Sequence, residues 1–217
     1  MKAIRKLYNK KRELFIAPDS DYVGFEDVYK KAYSDFKKFE SSSYILSCTC
    51  SEGLLERNGN IPFYKRGFSD REIGFYCGSF DRFTQSQKNL SILQSNFKND
   101  LKTFLVDYAP DIIHIYSLEP IGVEVLRVIK NTLPSSTTIL YLLDKSMLFG
   151  IMENKKYPIS SFAKEDIKLK EEFIKYHFAY VDKFVFLNKR IMEAYVNWVV
   201  PKKKSELIND IKLVSSK

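Results

Sequence analysis

Short apolar runs rich in β-branched and aromatic residues alternate along this chain with longer stretches whose apolar residues recur at helical spacing. This alternation restricts the fold most, because strands separated by single helices favour a parallel sheet with right-handed crossovers. The predicted strands are residues 13–18, 44–50, 111–117, 137–144 and 183–188, with a last short strand starting in 206–210. We therefore expect an α/β fold with a Rossmann-like, doubly wound, mostly parallel sheet flanked by helices.

The stretches between these strands predict amphipathic helices. Apolar residues from Leu90 to Tyr108 share one helical stripe, and similar spacing marks the other stretches. The predicted helices are residues 25–40, 84–108, 121–132, 165–180 and 189–199. Residues 51–83 carry several glycines among short aromatic runs, and this pattern predicts loops with one or two edge strands.

The length of 217 residues is enough for one domain with a single core. No repeat or low-complexity linker divides the sequence, so we expect a single domain over residues 1–217. The longest apolar runs are shorter than the roughly 20 residues that a membrane-spanning helix needs. The basic N-terminus lacks the apolar region of a secretory signal. These features predict a cytoplasmic protein.

The net charge of +8 favours an anionic partner, and lysines cluster in residues 2–12 and 201–205. Nucleic acid, an acidic membrane surface and phosphorylated substrates all fit this charge, as does a surface of scattered, solvated lysines. No recognised nucleic-acid-binding motif accompanies the charge, so we do not expect a nucleic-acid partner. The cysteines Cys48, Cys50 and Cys77 supply too few ligands for a typical zinc site. Buried, reduced thiols are the better interpretation, and we expect no metal.

Ligands of such sheets bind at the carboxyl ends of the strands, so polar residues that close an apolar strand are candidate site residues. His114, Tyr116 and Ser117 close one predicted strand, and Asp144 and Lys145 close the next. His114 has the chemistry for orienting a hydroxyl or transferring a proton. A hydrogen-bonded histidine buried in the sheet is the alternative. Asp144 would bind a hydroxyl group of a ligand or cap the following segment.

Two segments resemble the N-terminal domain of the family-four retaining glycosyltransferases, which have the two-domain GT-B fold. APDIIHIYSLEPIGVEVLRVIKNTLPSSTTILYLLDK resembles the middle of that domain. EEFIKYHFAYVDKFVFLNKRIMEAYVNWVVPKKKSELIND resembles its end, at the approach to the interdomain hinge. The match covers about residues 85–211 as an ordered pattern.

This resemblance implies transfer of a sugar from a nucleotide-sugar to a hydroxyl of a glycan or lipid-linked acceptor, in surface polysaccharide assembly. The chain would be the acceptor-binding half of a hexosyltransferase, inactive alone. A C-terminal donor domain, on the same or another chain, would hold the nucleotide-sugar, and no metal or further cofactor is expected. The substrate-binding residues would be His114, Tyr116, Ser117, Asp144 and Lys145, while the catalytic residues are not identified. The basic surface would hold the protein at the inner, anionic face of the membrane.

Three positions depart from the family pattern. Leu143 stands where the family has a histidine, Gly24 is the single glycine of the first turn, and Asn209-Asp210 replaces Asn-Gly near the hinge. The missing histidine, the poor glycine turn and the absence of a second domain from this sequence favour an alternative, in which the chain is a non-catalytic, Rossmann-like module that binds a protein or polysaccharide. The basic and aromatic stretch 63–83 is a candidate for acceptor or membrane contact.

Overall fold

A computed structural model describes residues 11–20, 25–39, 42–49, 62–65, 69–77, 95–118, 121–143 and 161–208. The fold is α/β, with an eight-stranded sheet flanked by helices. The strands are β1 (Glu13–Pro18), β2 (Ser43–Thr49), β3 (Phe63–Lys65), β4 (Glu72–Tyr76), β5 (Ile112–Ile115), β6 (Thr137–Leu142), β7 (Lys183–Phe186) and β8 (Ser205–Leu207). The helices are α1 (Glu26–Lys38), α2 (Ser95–Tyr108), α3 (Val125–Thr132), α4 (Ser161–Phe178) and α5 (Lys189–Val196).

The strand order is β3-β4-β2-β1-β5-β6-β7-β8, and every neighbouring pair is parallel except β3 with β4. The chain therefore builds the sheet outward from β1 in one direction and then continues from β5 in the other. This order is compatible with a Rossmann-like arrangement, whose switch point here lies between β1 and β5. The prediction of a mostly parallel α/β sheet is confirmed.

The central strands are mostly apolar, as expected where helices cover both faces of a sheet. In β1 all six residues are buried. Leu14 and Ile16 pack into a large core with the buried faces of α2, α3, α4 and α5. Phe15 and Ala17 point the other way, into a smaller core that includes Ala32 of α1. We call these two sides of the sheet the large-core face and the α1 face.

The predicted strands and helices agree with the described ones to within a few residues at most ends. The start predicted at residue 84 for the second helix lies outside the described residues. The differences lie in the glycine-rich stretch. Strand β3 is an edge strand of the described sheet, as expected, but β4 pairs with both β2 and β3 and so lies inside it. The expectation of edge strands alone was therefore wrong for β4. Part of the stretch is core, because the Phe63 ring packs against Phe75, with 4.8 Å between ring centroids.

Gly74 explains why the signal for β4 is weak. It lies directly opposite Tyr64 in the β3–β4 pair. A methyl group at position 74 would lie 2.0 Å from Cζ of the Tyr64 ring, so only glycine leaves room for that ring. The Tyr64 hydroxyl then reaches Asp19, after the end of β1, and donates a hydrogen bond of 3.2 Å to Oδ2. Glycine has a low strand propensity, but the Tyr64 ring that packs against position 74 requires it there.

Among the helices in the described part of the chain, none is both long and apolar enough to cross a membrane.

We expect Gly74→Ala to lower the free energy of unfolding by about 1–3 kcal/mol, because the new methyl group must displace the Tyr64 ring. Urea denaturation measures this change. The control is the same substitution in a Tyr64→Ala background, where the ring is gone and the loss should largely disappear. An equal loss in both backgrounds would contradict the assigned clash.

Candidate functional site

The switch point between β1 and β5 is the place where an open α/β sheet of this order binds ligands. Ser20 lies just after the carboxyl end of β1, and Ser117 lies just after that of β5; both are half-buried. The buried residues Asp19 and Tyr116 precede them. We call these four residues, together with Tyr64, the switch-point site. At the two strand ends, the serines are half-buried, whereas Asp19 and Tyr116 are buried.

Asp19 anchors the β1 side of this site. Its residue is fully buried, and its backbone N–H donates to the carbonyl of Cys48 at 2.7 Å. The carboxylate accepts from the Tyr64 hydroxyl at 3.2 Å, and Ser20 Oγ lies 3.5 Å from Oδ1. A buried carboxylate is costly unless donors surround it, so these contacts fix the backbone where β1 ends.

Tyr116 anchors the β5 side. Its hydroxyl donates a hydrogen bond of 2.7 Å to Oδ2 of Asp35, a buried residue of α1. Burial raises the pKa of Tyr116 far above its usual range, so the hydroxyl keeps its proton and remains a donor. The Asp35 carboxylate also accepts from Lys31 and, at 2.6 Å, from Lys38. This pair of lysines supplies the opposite charge that a buried carboxylate requires.

The pKa of Asp35 reflects two opposing effects. Burial is the largest single effect and raises the pKa, because it disfavours the charged form. Hydrogen bonds from Lys31, Lys38 and Tyr116 lower it, and together they leave the pKa below its ordinary value of 3.8. Asp35 is therefore ionised at neutral pH.

His114 lies within β5 on the α1 face. Its Nε2 is 3.0 Å from Oε2 of Glu13, and its Nδ1 is 3.1 Å from the Tyr141 hydroxyl. The ring stacks on Phe15, with 4.6 Å between centroids and 5° between planes. A carboxylate only accepts, so the geometry places the proton on Nε2, and in the neutral ring Nδ1 accepts from Tyr141. His114 is thus hydrogen-bonded within the sheet, as in the alternative given above for this residue.

The two tyrosines join these contacts into one network. Tyr116 and Tyr141 stack with 4.2 Å between ring centroids and 7° between planes. Burial raises the pKa of Tyr141 to about 12, so it too remains a hydroxyl donor at neutral pH. The network of Glu13, His114, Tyr141, Tyr116 and Asp35 runs from β1 across β5 and β6 to α1, and it holds Tyr116 in place below the strand end.

The structure places three of the five predicted substrate-binding residues. Ser117 is at the switch point, while His114 and Tyr116 point to the α1 face and are brought together by Tyr141. Asp144 and Lys145 lie outside the described residues. The substrate-binding role of all five stays a prediction.

Sequence reasoning missed Asp19, Asp35 and Tyr141. Asp19 had the same signal as the predicted residues, because it directly follows an apolar strand. Asp35 had a subtler one, since it stands at a helical spacing shared with the apolar residues Val28, Ala32 and Phe39. Tyr141 had none, because a tyrosine in an apolar strand is equally typical of simple packing.

Cys48 and Cys77 are buried free thiols. Burial raises the pKa of the Cys48 thiol well above its usual range, and nearby Cys77 adds to the effect. This confirms the interpretation of Cys48 as a reduced core residue, while Cys50 lies outside the described part of the chain.

We expect the stability difference between the wild type and Asp35→Asn to depend on pH. Because the pKa of Asp35 is lowered in the folded state, its stabilisation is present above the unfolded value of 3.8 and is lost as the pH falls through the folded value. Urea denaturation between about pH 2 and pH 6 measures this difference.

The control is Asp27→Asn, which removes a carboxylate of the same helix that is 99% exposed and pairs with Lys30. Its effect should be small throughout, because exposed ion pairs contribute little. An Asp35→Asn difference that stays constant across the whole range would contradict the assigned network.

Comparisons with protein-family models and with curated proteins return no match for this chain. The sheet topology and the residues of the switch-point site are therefore the features that bear on function.

Proposed function

We propose that this chain is the acceptor-binding half of a GT-B-type glycosyltransferase, which transfers a sugar from a nucleotide-sugar to a hydroxyl of a glycan or lipid-linked acceptor. The observation that carries the proposal is the position of Ser20 and Ser117. Both serines are half-buried and follow β1 and β5 at the switch point. Each comes directly after a buried residue with a hydrogen-bonded side chain, Asp19 or Tyr116. The resemblance in residues 85–211 supplies the reaction type.

The chemistry of the two serines suits a hydroxylated acceptor. A serine hydroxyl both donates and accepts, as does each hydroxyl of a sugar, so the two groups can pair in either direction. The bonds of Asp19 and Tyr116 fix the backbone directly before each serine. Such preorganisation supports binding because little conformational freedom is lost when the acceptor arrives.

His114 acts as a positioning residue in this proposal. Both of its ring nitrogens are engaged within the sheet, at 3.0 and 3.1 Å. Proton transfer to or from an acceptor would have to break one of these bonds. The nucleotide-sugar would be held by a second domain, and the catalytic groups would face the acceptor from there.

A specific observation favours the second candidate, a non-catalytic module that binds a polysaccharide. Leu143 stands where the resemblance has a histidine, and it packs against the apolar cluster on the α1 face. An apolar side chain there offers no hydrogen bond to a sugar. In this alternative the switch-point serines bind a glycan without transferring one.

The test is glycosyl transfer by the chain alone and by the chain joined to the coding sequence that follows it, with a panel of nucleotide-sugars. We expect turnover only in the joined form. Ser117→Ala should raise the acceptor KM roughly three- to tenfold, which matches the loss of one hydrogen bond of about 0.5–1.5 kcal/mol.

Ser205→Ala is the matched control, because Ser205 begins β8 at the opposite, amino-terminal edge of the sheet. Absence of both turnover and nucleotide release in either form would overturn the transferase. Retained binding of a polysaccharide in that case, weakened by Ser117→Ala, would establish the non-catalytic module.

A further inference from the structure

A groove of about 410 Å³ lies between α3 and α4. Both helices pack on the large-core face, so this groove is separate from the network on the α1 face. Its lining combines an aliphatic and aromatic wall with a few polar groups, which is typical of small-molecule sites of this size. We call it the α3–α4 groove. It is lined by Glu124, Arg127, Leu169, Glu172, Phe173, Tyr176 and His177.

His177 brings an unpaired acceptor to the groove. The residue is only 3% exposed, and its Nδ1 lies 2.9 Å from the backbone oxygen of Phe173. A carbonyl oxygen only accepts, so Nδ1 carries the proton, and in the neutral ring the lone pair is on Nε2. Nε2 has no hydrogen-bond partner in the part of the chain that the structure describes.

The His177 ring is neutral at physiological pH. Burial lowers its pKa, and the charge of Arg127 lowers it further, against the opposing effects of the Phe173 carbonyl and Glu124. Nε2 is therefore an acceptor rather than a donor. A ligand that pairs with it has to offer a hydroxyl or N–H group.

The wall of the groove is apolar and unusually accessible. Leu169 is 56% exposed and Tyr176 is 52% exposed. The Phe173 ring lies 4.2 Å from that of His177, and the Tyr176 ring meets His177 edge to face at 5.0 Å. Aromatic faces of this kind attract the partially positive C–H groups of a ring placed against them.

The carboxylates around the groove are paired with cations of the protein. Glu124 is 2% exposed and accepts from Lys98 at 2.8 Å and from Arg127 at 2.6 Å. Glu172 is a second, more exposed carboxylate, and its Oε1 lies 3.9 Å from Nζ of Lys168. Because each carboxylate already has a cation of the protein beside it, the groove favours an uncharged ligand over an organic ion.

We propose that the α3–α4 groove binds a neutral saccharide ring. The apolar face of the ring packs against Phe173 and Tyr176, and one ring hydroxyl donates to Nε2 of His177. Further hydroxyls donate to the Glu172 carboxylate. This site does not depend on the function proposed for the switch point, since it uses different residues on the other face of the sheet.

The test is saturation-transfer NMR with three probes: methyl β-glucopyranoside, methyl β-galactopyranoside and N-acetylglucosamine. We expect saturation transfer to at least one of them. His177→Asn keeps an N–H near the Nδ1 position but removes the acceptor, so binding should weaken roughly three- to tenfold. His177→Gln carries a carboxamide oxygen at about the reach of Nε2, so binding should largely return.

A second measurement is made on the wild-type protein, and a variant is needed only to assign the two histidine rings. The sequence has two histidines, and a spectrum with ¹⁵N-labelled histidine therefore resolves His177 once His114→Gln identifies the other ring. We expect an unprotonated Nε2 at pH 7 that shifts when the sugar is added. A protonated Nε2, an unshifted Nε2, no transfer to any probe, or unchanged binding by His177→Asn would each overturn the proposal.

Discussion

The parallel pairing of β1 with β5 is the contact on which the rest of the structure depends, because it joins the two halves of the described sheet. It connects residues about 100 positions apart, so closing it is costly in chain entropy. Polar bonds at its start help to fix the register: the backbone N–H of Arg12 donates to the Asp111 carboxylate at 2.8 Å, and the Tyr108 hydroxyl donates to the Glu13 carbonyl at 2.9 Å. The switch point exists only because this pairing places two strand ends side by side.

The two faces of the sheet are held together by different means. On the large-core face, apolar side chains from four helices fill the space, and such packing tolerates small shifts between helices. On the α1 face, Asp35 and Tyr116 form a buried hydrogen bond, which has one good geometry and a large penalty if it is broken. The α1 face therefore sets the position of α1 relative to β5 more narrowly than apolar contact would. This is the face on which the switch-point side chains Asp19 and Tyr116 lie.

The sequence pattern predicted the α/β fold and most strands, because continuous apolar runs such as β1 and β6 have few other stable arrangements. The sequence pattern did not predict residues whose role depends on a contact with a residue far away in the sequence. Gly74 weakens the pattern of β4, yet it is required by a tyrosine on another strand. Asp35 shares the helical spacing of apolar residues in α1, but its partner Tyr116 lies 81 positions later and could not be predicted from that spacing. The position of Ser117 after a strand could be predicted from local pattern. The groove around His177 could not, because it depends on how α3 packs against α4.

The contact between Tyr64 and Asp19 links the edge of the sheet to its centre. Strand β3 has only three residues, and short edge strands open more readily than central ones. Each opening of β3 would withdraw the Tyr64 hydroxyl and leave the buried Asp19 carboxylate with one donor fewer. The end of β1 would then be held at Asp19 by its backbone bond to Cys48 and by one side-chain contact fewer. A contact that stabilises β3 would also stabilise the end of β1, because the Tyr64 hydroxyl would stay bonded to Asp19.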